Sequence, residues 1–198
     1  MKPLHLIYVP GLGDQKIAVQ AKLVATWKHH NVSYELCQMN WADGEWAPKL
    51  EKILKAIDTA VANGQDVALV GASAGGCAVV TAYAARQDVV TGVVVIAGKV
   101  NRPQTVGHGY KSKNPAFWTA INAAQPALAS LGPDKRSKIL SRRGLLDEVV
   151  LPSDNIIAGA VNRVTPSIGH VITIGSQLLL GASSFIKFLR KQQTAPKA

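Results

Sequence analysis

Apolar residues along this chain gather into short, mostly unbroken runs, separated by stretches in which apolar positions recur at helical spacing. The runs are Leu4 to Val9, Ser33 to Met39, Val67 to Val70, Val93 to Ala97, Lys138 to Ser141 and about Ala160 to Thr165. Between them, Ile17, Leu23 and Val24 share one face of a predicted helix with Ala21 beside them, and Leu50, Ile53, Leu54 and Ile57 form an i, i+3, i+4, i+7 stripe on a second. Near-continuous apolar strands alternating with amphipathic helices predict an α/β fold, a parallel sheet buried on both faces and joined by right-handed crossovers. Ligands of such sheets bind at the C-terminal ends of the strands.

Residues 101–137 break the alternation. A loop punctuated by Pro103, Gly107, Gly109 and Pro115 leads into Ala116 to Leu131, which contains Pro126. This segment is expected to be an inserted helical flap above the sheet's C-terminal edge. The longest apolar stretch, Val171 to Leu189, is interrupted by Gly175, Ser176, Gln177, Ser183, Ser184 and Lys187, short of the ~18 uninterrupted residues that mark a membrane span. No internal repeat is present, and the tail from Gln192 to Ala198 is expected to fray.

With 198 residues and 47% hydrophobic content, the chain fits a single domain spanning residues 1–198. A chain of this length can bury roughly 70% of its unfolded surface in one core. Met1-Lys2-Pro3 leads into a run too short for the apolar part of a secretory leader, and Cys37 and Cys77 are the only cysteines. Both features lead us to expect a soluble, cytoplasmic protein with reduced thiols and no metal site. The net charge of +10 is uneven: fourteen Lys or Arg stand against four Asp or Glu from residue 99 onward, while the first 98 residues balance at eight of each. A basic face follows, which serves solubility or draws an anionic substrate or surface.

Candidate chemistry enters at Gly71-Ala72-Ser73-Ala74-Gly75-Gly76, which follows an apolar run and precedes a helix-like stretch reaching Arg86. A serine at a strand-to-helix turn, flanked by small residues that leave room for adjoining backbone, is a nucleophile elbow. Ser73 then needs an imidazole to take its proton and a carboxylate to hold that imidazole. Among the histidines, His5 lies in the first strand, His29 and His30 close the first helix, and His108 belongs to the flap. His170 follows the last strand and precedes the final helical stretch, where a loop can bring it onto Ser73. Asp147 follows the preceding strand and is the expected orienting acid, with Asp154 as its competitor and Glu148 pointing away. The chain order Ser73, Asp147, His170 matches the order of α/β-hydrolase triads.

An oxyanion hole needs two backbone N–H donors. Ala74, at the head of a helix whose dipole favours negative charge, is expected to give one, and Leu12 in the turn Pro10-Gly11-Leu12-Gly13 the other. That turn could also open a dinucleotide site, but the third glycine of the pattern is replaced by Lys16. Tyr110, Phe117 and Trp118 of the flap are candidates to wall a substrate pocket.

Together these residues resemble the α/β-hydrolase superfamily, and in particular the small capless bacterial lipases of the Bacillus lipase A type. The resemblance spans nearly the whole chain. It rests on the glycine-rich first turn, the Ser73 elbow, Ala97-Gly98 with Asn101-Arg102, Leu146-Asp147-Glu148-Val149-Val150, and Gly159-Ala160 through Gly169-His170. It implies a minimal α/β-hydrolase, about six mostly parallel strands in the order 2-1-3-4-5-6 with helices on both faces, and a Ser73–His170–Asp147 triad. Three departures stand out: Pro10 replaces the histidine usual before the oxyanion glycine, no secretion signal like that of those lipases is read, and the flap is extra.

The expected activity is hydrolysis of carboxylic esters, in the manner of a carboxylesterase or lipase, through an acyl-enzyme and without cofactor. The partner is a small-molecule ester, for which the basic half favours an anionic one. Alternatives are a thioesterase, lactonase or acyltransferase with the same triad, or a non-catalytic anion-binding protein on a hydrolase scaffold. No nucleic-acid partner is expected, because the basic segments lack interleaved aromatics. Acyl length and oligomeric state stay open.

Overall fold

The near-continuous burial that a sheet covered on both faces demands is met along its central strands in the computed structural model, which describes residues 2–194. Six strands, β1 (Leu4–Val9), β2 (Ser33–Leu36), β3 (Asp66–Ala72), β4 (Val90–Ile96), β5 (Ile139–Leu146) and β6 (Val161–Ile168), form one sheet in the order β2-β1-β3-β4-β5-β6. All neighbouring pairs are parallel. Helices α1 (Ala18–Ala25), α2 (Trp46–Ala62), α3 (Gly75–Ala85), α4 (His108–Lys113), α5 (Pro115–Ser130), α6 (Pro133–Ser137), α7 (Pro152–Asn155), α8 (His170–Leu179) and α9 (Ala182–Thr194) lie between or after the strands.

Two cores flank the sheet. Ile7, Val9, Val67, Leu69, Val93 and Val95 face α2, α3 and α5 on one side. Their sequence neighbours Leu6, Tyr8, Ala68, Val70, Val94 and Ile96 face Trp27, α8 and α9 on the other. A strand buried on both faces has little room for polar side chains, which is why β1, β3 and β4 read as near-continuous apolar runs, with only His5, Asp66 and Thr91 polar. Helix α3 is buried on nearly every side, as its sequence, apolar apart from Thr81, requires when it is held between the sheet and α5.

Three expectations change. The second strand ends at Leu36 rather than Met39, because the backbone N–H groups of Met39 and Asn40 donate to the Asp14 carboxylate, at 2.6 and 2.7 Å, and not to a neighbouring strand. Strand β5 runs on to Leu146 through Arg142 and Arg143, which read as loop, and β6 runs on to Ile168 through Pro166 and Ser167. The proposed flap 101–137 is only partly a flap. Its helix α5 buries Ala116, Phe117, Ala120, Ile121, Ala124 and Leu128 in the core, as the crossover from β4 to β5, and the exposed side of the helix carries Pro126. Residues 101–114 alone overhang the sheet edge.

No single helix among the described residues is long and apolar enough to cross a membrane; the apolar stretch 171–189 divides into α8 and α9, bent by 64°. Helix α9 continues to Thr194, and the remainder of the segment expected to fray, 195–198, lies outside the described residues.

Candidate active site

Strand β3 ends at Ala72 and α3 begins at Gly75, so Ser73 must reverse the chain within two residues, and it does so with φ at +52°. A side chain in this left-handed region costs about 1–2 kcal/mol, met here by a dense backbone network. Ser73 N–H donates to the Ile96 carbonyl at 3.0 Å, and the Ser73 carbonyl accepts from Gly76 and Lys99 at 2.9 and 3.0 Å. Room for the turn comes from missing side chains. A Cβ at Gly75 would collide with the Val9 carbonyl, and one at Gly11 would lie 2.6 Å from the Ser73 Cβ.

The loop after β6 brings His170 to the serine. Its Nε2 lies 3.0 Å from Ser73 Oγ, and its Nδ1 lies 2.8 Å from Asp147 Oδ2 and 3.1 Å from Oδ1. An ionised carboxylate only accepts, so Nδ1 carries the proton and Nε2 is left with a lone pair toward the hydroxyl. Asp147 is itself held: Oδ1 accepts from the Val149 and Val150 N–H groups at 2.9 and 2.8 Å. Both side chains are nearly dry, His170 at 8% and Asp147 at 3% exposure.

Asp154, the competing carboxylate, is committed elsewhere. It is buried with Lys99, whose Nζ lies 2.7 Å from Oδ1 and also donates to Thr105 Oγ1 at 2.6 Å. Desolvation pulls the Lys99 pKa below its ordinary value, with Asp154 opposing the shift. Glu148, expected to point away, instead accepts from the His170 backbone N–H at 3.1 and 3.3 Å. This places a carboxylate on the first turn of α8, where the helix dipole favours it, and anchors the segment that carries the imidazole. Neither role was visible in the sequence, since both depend on partners brought together by folding.

A cavity of about 350 Å³ opens onto Ser73, with Leu12, Ala74, Val106, Phe117 and Val150 among its walls and Lys99, Glu148 and Asp154 as its charged members. Leu12 and Ala74 therefore border the serine, and among the described residues neither backbone N–H donates to another protein group. Of the three aromatic candidates, Phe117 is buried in the wall and Tyr110 is exposed at the rim. Trp118 is not part of the cavity: its ring carries Lys111 Nζ 3.9 Å from the centroid. One helical step from Phe117 turns it onto a different side of α5. His5 bonds Ser33 Oγ at 2.8 Å, and His108 is exposed at the start of α4.

No protein-family model matches the sequence, and no curated protein matches it significantly. Solved structures do resemble it. One of the metagenome-derived lipolytic enzymes LipS and LipT superposes with a TM-score of 0.69 at 15% identity, over 96% of this chain and 94% of that one. Est1E from Butyrivibrio proteoclasticus gives 0.66 at 17% identity, over 98% and 89%. The Paleococcus ferrophilus monoacylglycerol lipase gives 0.61 at 12%, over 95% and 94%. Similarity at such identities speaks for architecture, and with the sheet order it establishes that the chain has the α/β-hydrolase fold.

Proposed function

We propose that this protein is a serine hydrolase that cleaves carboxylic esters through an acyl-enzyme, with Ser73, His170 and Asp147 as its catalytic triad. The observation that carries the reading is the unbroken contact line from Ser73 Oγ to His170 Nε2 at 3.0 Å and from Nδ1 to Asp147 at 2.8 Å, ending in an apolar cavity. In the first half-reaction Ser73 Oγ attacks the ester carbonyl carbon while His170 Nε2 takes the hydroxyl proton. Asp147 accepts the Nδ1–H bond and stabilises the imidazolium. The Leu12 and Ala74 amides receive the oxyanion, aided by the N-terminal end of α3. Collapse of the tetrahedral adduct breaks the bond to the alkoxy oxygen, which leaves as alcohol with the proton from Nε2. Water repeats the sequence on the acyl-enzyme and releases the acid.

A cavity of about 350 Å³ with Phe117 in its wall suits a short acyl chain or a single aromatic ring. The fold is shared with lipolytic enzymes and with a monoacylglycerol lipase, which accords with an ester substrate. The sequence resemblance to the small capless lipases of the Bacillus lipase A type accords with a site that little beyond residues 101–114 overhangs. Turnover of p-nitrophenyl acetate and butyrate tests the proposal. Ser73→Ala should fall to background with an unchanged circular dichroism spectrum, and retained turnover in that variant would refute it.

A further inference from the structure

Away from the cavity, β6 forms one edge of the sheet. Beside it the bend between α8 and α9 leaves an open groove of about 860 Å³ that shares no lining residue with the Ser73 cavity. Its apolar walls include Val161, Val164, Ile172, Leu180 and Phe188, with Ile172 and Leu180 as much as 65% and 78% exposed. Four cations, Arg142, Arg163, Lys187 and Lys191, line the same groove, and no acid does. None is at hand nearby in the chain either, because Asp154 is its last acidic residue.

Arg142 makes the imbalance specific. Its side chain is buried, 7% exposed, yet its partners are all neutral: Gln177 Oε1 at 2.7 Å, the Gly181 carbonyl at 3.2 Å and Ser184 Oγ at 2.5 Å. Its Nε has no acceptor among the described residues. Burial, with Arg163 close by, lowers its pKa from the ordinary guanidinium value, the mark of a charge held without a counter-charge. Buried charges in stable folds are paired, so the missing partner is an anion from outside the chain. Pairing with a second copy across β6 would set these cations against their own kind.

We propose that the groove between β6 and the α8–α9 bend binds a single-chain amphiphile with an oxyanion head, of the alkyl carboxylate class. The head lies toward Arg142, Arg163 and Lys187, and the chain lies along Val164, Ile172 and Leu180. The proposal does not rest on the ester reading, since its readout is binding alone.

Calorimetric titration of the full-length protein with decanoate tests it, with acetate, inorganic phosphate and decanol as separate arms. Decanoate should saturate one site and tighten by roughly two- to fourfold for each added methylene. Acetate and phosphate, lacking the chain, should not saturate at the same concentrations, and decanol, lacking charge, should bind about tenfold more weakly or worse. The surface double variant Arg163→Gln with Lys187→Gln should weaken decanoate about tenfold, Leu180→Asp should abolish its binding, and Val149→Asp at the Ser73 cavity should leave it unchanged. Three results would overturn the proposal: decanol binding as tightly as decanoate, loss of binding in Val149→Asp with the groove variants unaffected, or sedimentation showing a dimer that Leu180→Asp dissolves.

Discussion

Replacing Asp147 with asparagine changes one atom's hydrogen bonding and should nearly silence the proposed esterase activity. In the native site Oδ1 accepts from Val149 and Val150 N–H while Oδ2 accepts from His170 Nδ1. An asparagine keeps the two backbone bonds by aiming its carbonyl oxygen at them, which turns its NH₂ toward Nδ1. That nitrogen must then accept, the proton moves to Nε2, and the atom facing Ser73 Oγ can no longer take a proton. Such a tautomer inversion costs about 10⁴ in kcat, or about 5.4 kcal/mol of transition-state stabilisation, while packing is untouched. Asp154→Asn is the counterpart. It leaves Lys99 buried without its counter-charge, for which about 3 kcal/mol of stability is expected, or about 6–12 °C in Tm for a domain of this size, with kcat per folded molecule close to native. Steady-state kinetics on p-nitrophenyl butyrate and thermal unfolding of both variants read the two effects separately. Asp147→Asn within tenfold of native kcat, or a kcat loss in Asp154→Asn as large as that in Asp147→Asn, would refute the assignment of the two carboxylates.

Gly75→Ala should destabilise the fold by about 1–3 kcal/mol or more, because the added methyl meets the Val9 and Pro10 carbonyls; chemical denaturation measures it, and a neutral result would contradict the close approach at the elbow. Phe117→Ala should shift the acyl-length preference toward longer esters and lower stability by about 3–5 kcal/mol, whereas Trp118→Ala should leave the chain-length profile unchanged; equal profile shifts in the two variants would contradict their separation. Burial pushes the Cys37 thiol up to about 11 and raises that of Cys77 as well, so at pH 8 only about one Cys37 in a thousand is thiolate. Ellman's reagent should therefore titrate no thiol in the native protein within minutes and both in guanidinium chloride.

Much of the architecture is written in β1, β3 and β4, where both faces of each strand are buried and every position but one in each (His5, Asp66 and Thr91) is apolar or glycine. The failures came where tertiary partners override composition. Arg142 and Arg143 made the second half of β5 look like loop, yet strand pairing carries it to Leu146 and neutral side-chain acceptors take up Arg142. The Asp14 carboxylate cuts β2 short from a position twenty-odd residues earlier in the chain. Proline and glycine around α5 disguised a core crossover helix as an insertion, because Pro126 falls on its exposed side, where a lost N–H bond is tolerated. At the site, small residues pinned Ser73 to a turn, and strand order brought Asp147 and His170 to the same sheet edge. The backbone anchoring by Glu148 and the Lys99–Asp154 pair left no such local signal. Each joins residues whose nearness exists only once the chain has folded.

The central claim is that acyl groups pass through the Ser73 oxygen, and intact-mass spectrometry after an acid quench of p-nitrophenyl butyrate turnover tests it most directly. The account predicts a single adduct of butyryl mass, mapped by peptide digestion to the segment containing Ser73, accumulating further in Asp147→Asn relative to its slowed turnover and absent from Ser73→Ala. Hydrolysis proceeding with no adduct in a rapid quench, or an adduct on any residue other than Ser73, would contradict it.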